Sequence, residues 1–158
     1  MAPALVPVQV IVTEGRLGGD GVIGGPVTVG DGRGRRRAIL IPSDDFGGIG
    51  QLQIQKRISF EADSTYLFKL DSNTGEADGL VAKGVSIKAA AVFSIIDLGN
   101  QTLPPGKPYF VIHNSGPAPI SGSFSNLPDG STITVRNNTF QANYEGGDGN
   151  DLTLTVVP

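Results

Sequence analysis

The chain has 158 residues, a single histidine, no cysteine and no tryptophan, and its 12 basic and 15 acidic side chains give a formal charge of −3. Absence of cysteine excludes disulfides, thiolate metal sites and a cysteine nucleophile, and a mildly acidic chain has no general attraction for nucleic acid or an anionic membrane surface. The length suits one domain, and 23 glycines and 11 prolines set among 39% hydrophobic residues in short runs predict many turns between ordered strands.

The first element is a strand over residues 5–12, LVPVQVIV, with Val6, Val8, Val10 and Val12 on one face. Pro7 cannot donate to a ladder and so suits an edge position. The segment reads either as an assembly strand added to a neighbouring subunit or as a fold-back cap of its own chain. Pro3 and Pro7 and the lack of a basic start exclude a secretory signal there, and no apolar run approaches the roughly 20 residues of a spanning helix.

Leu52 and Ile54 alternate with Gln51, Gln53 and Gln55, and Tyr66, Phe68 and Leu70 form a further half-buried strand. From Val85 to Ile95 a period of two places Val85, Ile87, Ala89, Ala91, Phe93 and Ile95 on one side, which predicts one continuous strand despite the helix-forming alanines. More strands follow at 109–112, 133–135, 140–144 and 152–156. Between them stand turn signals such as Asp31-Gly32, Asn73-Thr74-Gly75, Asp78-Gly79, Pro104-Pro105-Gly106 and Pro128-Asp129-Gly130. The expected class is all-β. Spacing alone fits a solenoid of coils or an antiparallel β-sandwich.

Several segments occur in order: Gly24-Gly25-Pro26-Val27-Thr28-Val29-Gly30, Gly50-Gln51-Leu52-Gln53-Ile54, Ala77-Asp78-Gly79-Leu80-Val81 leading to Gly84-Val85-Ser86-Ile87, Gly122-Ser123-Phe124 with Leu127-Pro128-Asp129-Gly130, and Asn138-Thr139-Phe140 running to Asp151. Over residues 22–158 this series, closed by YEGGDGNDLTLTVVP, resembles the C-terminal β-solenoid segment of bacterial autotransporter-passenger-like surface proteins. The resemblance implies a right-handed parallel β-helix over 15–158, preceded by the strand segment 1–14. It further implies a bacterial cell-surface or extracellular location, a structural or adhesive role, and no catalytic residue.

Candidate chemistry is sparse. His113 and Ser115 share a strand face, but no orienting carboxylate or Gly-x-Ser-x-Gly motif accompanies them in the sequence. Asp44, Asp45, Glu61, Asp63, Asp71, Glu76, Asp78 and Asp97 could in principle supply an acid and a base for glycoside cleavage, although the aromatic platforms usual in sugar clefts are scarce. Asp44 and Asp45 read better as caps of a turn before Phe46-Gly47-Gly48.

Gly146, Gly147, Gly149 and Asp151 overlap a calcium-binding nonapeptide. Its carboxylates would be Asp148 and Asp151, but the motif occurs once, with Leu152 one place early, and Ile23 spoils the partial second copy at 18–23. No calcium or other cofactor is expected. The basic run Arg33-Gly34-Arg35-Arg36-Arg37 lacks interleaved aromatics and reads as a solvated turn.

The expected function is that of a non-catalytic extracellular structural or adhesive module, self-assembling end to end into filaments through Val6, Val8, Val10 and Val12. Its partners would be further copies, a larger surface protein or a surface polysaccharide. The alternatives are a secreted polysaccharide-acting enzyme on a β-helix scaffold and a carbohydrate-binding β-sandwich module.

Overall fold

The computed structural model describes residues 8–33, 38–43 and 47–158. Its strands are β1 (Val10–Val12), β2 (Gly15–Gly18), β3 (Gly21–Ile23), β4 (Val27–Val29), β5 (Ala38–Ile41), β6 (Gln51–Ile54), β7 (Ile58–Phe60) and β8 (Ser64–Asp71). There follow β9 (Glu76–Ala77), β10 (Gly79–Ala82), β11 (Val85–Ile87), β12 (Val92–Asp97), β13 (Pro108–Asn114), β14 (Thr132–Val135), β15 (Asn138–Gly146) and β16 (Asp151–Val157). The protein is all-β, and among the described residues no helix is long and apolar enough to cross a membrane.

The strands form three sheets, ordered β1-β4-β7-β11, β2-β5-β8-β12 and β3-β6-β10-β13-β16-β15-β14. Each of the first two runs parallel along that path, as does the third up to β13. From β13 onward the third sheet is antiparallel, and β9 doubles back antiparallel on β8.

This mixed pairing overturns the right-handed parallel β-helix expected over 15–158. After β13 the parallel pairing dwindles to a single bridge, between Ser121 and Ser86 of β11. Leu127, Phe140 and Tyr144 bring the chain back over the end of the core, and a hairpin of β15 and β16 closes it. The result is a set of open sheets packed in layers on one core, as in a sandwich, but with parallel and antiparallel ladders together.

The core follows from the strand alternation. In β15 the residues Phe140, Ala142 and Tyr144 are buried while Gln141, Asn143 and Glu145 are exposed. Inward residues of all the sheets meet in one cluster. At its centre Phe124 lies 5.3 Å from Phe60 and 5.7 Å from Phe93, and Tyr66 lies 5.8 Å from both Phe60 and Phe93. Such tilted and edge-on ring pairs each add about 0.5–1.5 kcal/mol beyond the area they bury.

Two of the three buried tyrosine hydroxyls of this core are paired, whereas that of Tyr109 has no partner among the described residues. Tyr66 donates its hydroxyl to the Val111 carbonyl at 2.7 Å, and Tyr144 donates to Leu127 while accepting from the Phe124 amide. Burial pushes the Tyr144 hydroxyl up to about 12 and raises that of Tyr66 well above its ordinary value.

Two local expectations are also corrected. The run Val85 to Ile95 is two strands in different sheets, separated at 88–91, where Ala90 takes φ 78° and the Ala91 amide bonds back to the Lys88 carbonyl. Asp78-Gly79 is not an exposed turn, because both residues are buried and Gly79 begins β10.

Candidate functional site

Three of the carboxylates that could have served as acid and base, Asp63, Asp78 and Asp97, are acceptors of backbone amides. Asp63 receives the amides of Asp31 and Gly32, at 3.0 and 2.8 Å through Oδ1. Burial alone would raise its carboxyl; the Gly32 and Asp31 amides outweigh that effect and hold it below the ordinary carboxylate value. Asp97 Oδ1 accepts the amides of Ser72 and Gly99, and so fixes the corner after β8 to the corner after β12.

Asp78 is buried beside a lysine. Its Oδ1 accepts the Gly50 amide at 2.9 Å, and its Oδ2 accepts both the Lys69 amide and the Lys69 ammonium. The ammonium also donates to Ser43 Oγ. Burial raises the Asp78 carboxyl despite the opposing bonds from Lys69 and Gly50. Of the other carboxylates singled out in the sequence, Asp44 and Asp45 lie outside the described residues. Asp71 accepts the Asn73 amide in its own turn, Glu61 is half-buried just after β7, and Glu76 is exposed in β9.

His113 has a carboxylate partner that the sequence did not reveal. Its Nδ1 lies 3.2 Å from Asp151 Oδ2, while Asp151 Oδ1 accepts the Asn114 amide at 2.8 Å. The antiparallel pairing of β13 with β16 brings these distant residues together. Ser115 does not complete a triad, for its hydroxyl donates to the Ala82 carbonyl at 3.3 Å.

Asp148 and Asp151 are likewise separated in role: Asp148 stands in the exposed turn after β15, whereas Asp151 is buried at the start of β16. Among the described residues, no three His, Asp or Glu side chains gather where they could hold a metal ion.

The N-terminal strand pairs within its own chain. Val10, Ile11 and Val12 stand opposite Val27, Thr28 and Val29 of β4. Val10 and Val12 are half-buried against the core, Val8 is 79% exposed, and Val6 lies outside the described residues. The outer edges of β1, β2 and β3 end their sheets at the same pole of the molecule. Of the arginine run, Arg33 lies 3.8 Å from Asp31 at an exposed turn, and residues 34–37 are outside the described set.

A surface feature that the sequence reading missed lies where the first and third sheets meet. The chain turns this corner at residues 24–26, 55–57, 83–84 and 115–117, and backbone bonds stack the successive corners. Val27 donates to the Arg57 carbonyl, Lys83 to Lys56, Ile58 to Gly84 and Ser115 to Ala82.

A hollow of about 580 Å³ along this corner is lined by Pro26, Lys56, Arg57, Lys83 and Pro117. It continues into one of about 370 Å³ that shares Arg57 and Lys83 and adds Ser86 and Ser121. Among the described residues no carboxylate lines either hollow. The available sequence signal was the recurrence of a basic residue just after the apolar strands ending at Ile54 and Ala82, which shows only once those strands are known to be neighbours.

In comparisons with known proteins, no family description, no curated protein and no solved structure matches the chain.

Proposed function

We propose that the chain is a non-catalytic structural or adhesive module of an exported bacterial surface protein, working at the cell surface or outside the cell without a cofactor. The observation that carries this reading is the use of Asp63, Asp78, Asp97 and Asp151 as acceptors for backbone amides. Carboxylates tied to the frame in this way are poor proton shuttles, and the Ser115 hydroxyl is directed at a carbonyl rather than at a base. A screen of the purified chain for glycosidase, lyase and esterase turnover, with His113→Ala as control, tests this. Turnover abolished by that substitution overturns it.

Self-association belongs to the same reading. The outer edges of β1, β2 and β3 offer backbone groups to a second copy, with Val10 and Val12 beside them. At the other pole the chain covers its own edges. Ser121 bonds along β11, Ser125 donates to Ala91, Asn126 both donates to and accepts from Phe93, and Arg136 donates to the Asp97 carbonyl. Like poles therefore pair, giving a dimer rather than an open filament. Light scattering of the intact chain and of a chain lacking residues 1–13 decides this. A monomer at high concentration for the intact chain excludes the assembly.

A further inference from the structure

We propose that the corner groove around Lys56, Arg57 and Lys83 binds an anionic polysaccharide carrying carboxylates, that is, a polyuronate. The inference rests on the reading of the chain as a binding module and names the ligand class for it.

The first ground is electrostatic. Lys56 and Lys83 are joined by a backbone hydrogen bond from the Lys83 amide to the Lys56 carbonyl, so they sit side by side in adjacent corners just beyond β6 and β10. Arg57 follows directly. Like charges set side by side across a ladder destabilise it, and among the described residues none of the three cations is in an ion pair. An acidic chain of net charge −3 thus concentrates unneutralised positive charge in one hollow. An anion laid there relieves the repulsion that the fold sustains.

Shape and lining select among anions. The groove runs across stacked corners, is bounded by Pro26 at one end and by Pro117 and Pro119 at the other, and has Ser86 and Ser121 in its lining. Cations repeating along stacked strands match charges repeating along a linear polymer. The Arg57 guanidinium is shaped for bidentate pairing with a carboxylate, the hydroxyls can exchange hydrogen bonds with sugar hydroxyls, and the proline rings give rigid apolar contact for the C–H faces of a pyranose. Among the described residues no aromatic ring lines the groove to give the stacking platform on which single-stranded nucleic acid depends.

Titration calorimetry of the full chain with sodium alginate, dextran sulfate, neutral dextran and a single-stranded oligonucleotide provides the test. Alginate is expected to bind with an affinity that falls as salt rises, and neutral dextran not to bind. The triple variant Lys56→Gln, Arg57→Gln, Lys83→Gln should lose at least tenfold in affinity with an unchanged melting temperature, while Lys88→Gln, at a cation outside the groove, should bind as the parent does. Binding that survives the triple variant, binding of dextran sulfate or the oligonucleotide without alginate, or no binding at all overturns the site and leaves the non-catalytic reading standing. Release of new reducing ends or unsaturated fragments from bound alginate overturns the non-catalytic reading and leaves the site standing.

Discussion

Lys69 and Asp78 form an ion pair with no solvent exposure on either side chain, the ammonium 2.8 Å from Oδ2. The pair joins β8 to the residue that precedes β10, and through the Gly50 amide it also holds the start of β6. Removing one partner from such a pair leaves an uncompensated buried charge, which costs about 3–5 kcal/mol.

Asp78→Ala should therefore lower stability by about 3–5 kcal/mol, and Lys69→Met together with Asp78→Asn should recover a substantial part of that loss. Asn can still accept the Gly50 amide, and Met fills the volume of the lysine stem. Urea unfolding of the single and double variants gives the comparison. Equal losses would mean that the charge pair itself contributes little.

Asp63 gives stability a defined pH dependence. Its carboxyl is held below the ordinary value, so its contribution is fully present above the unfolded carboxylate range of about 4 and is lost as pH falls through the lower folded value. Asp63→Asn should be less stable than the parent at neutral pH, and the gap should close below about pH 4. Asp78 is raised and acts in the opposite direction, but it is common to both proteins and cancels. Melting temperatures of the two proteins from about pH 7 to pH 2 follow the difference; a constant gap would refute the assignment.

Strand faces were legible wherever alternation was local. Leu52 and Ile54, and Phe140, Ala142 and Tyr144, are buried as the period of two requires. What the sequence concealed depends on contacts between distant residues. Ala90 has no side-chain feature that announces a positive φ, so the break between β11 and β12 was hidden inside an unbroken alternation. Asp78-Gly79 carries a turn signature, yet its aspartate is claimed by Lys69 and by Gly50, 28 positions away. His113 meets Asp151 only because β16 pairs antiparallel with β13, and that same pairing breaks the expected parallel order. The cationic groove is assembled from separate corners, none of which is basic enough alone to attract notice.

Gly122 and Gly130 separate backbone strain from steric conflict. Both have positive φ, 83° and 79°, but a Cβ at Gly130 would meet nothing within 4 Å, whereas one at Gly122 would overlap the Ile87 carbonyl oxygen. Gly130→Ala should cost about 1 kcal/mol from the left-handed conformation alone. Gly122→Ala should cost clearly more, since Ser121 and β11 must part to admit the methyl group. Denaturant midpoints of the two variants test this, and equal losses would show that the contact at Ile87 yields without penalty.

Asp151 is expected to matter through its backbone bond far more than through its histidine or any metal. Its buried carboxylate satisfies the Asn114 amide, and Asp151→Ala would leave that buried donor unpaired at a cost of about 1–3 kcal/mol. His113 has a side chain 46% exposed, and its removal leaves the Asn114 amide still paired with Asp151, so His113→Ala should change stability less than Asp151→Ala. Calcium at Asp151 Oδ2 would take the place of His113 and would need further oxygen ligands beyond Asp148 in the exposed turn. Melts in chelator and in excess calcium should accordingly coincide for the parent chain. A large calcium-specific rise in melting temperature that disappears in Asp151→Asn would overturn this ranking and assign the turn a metal.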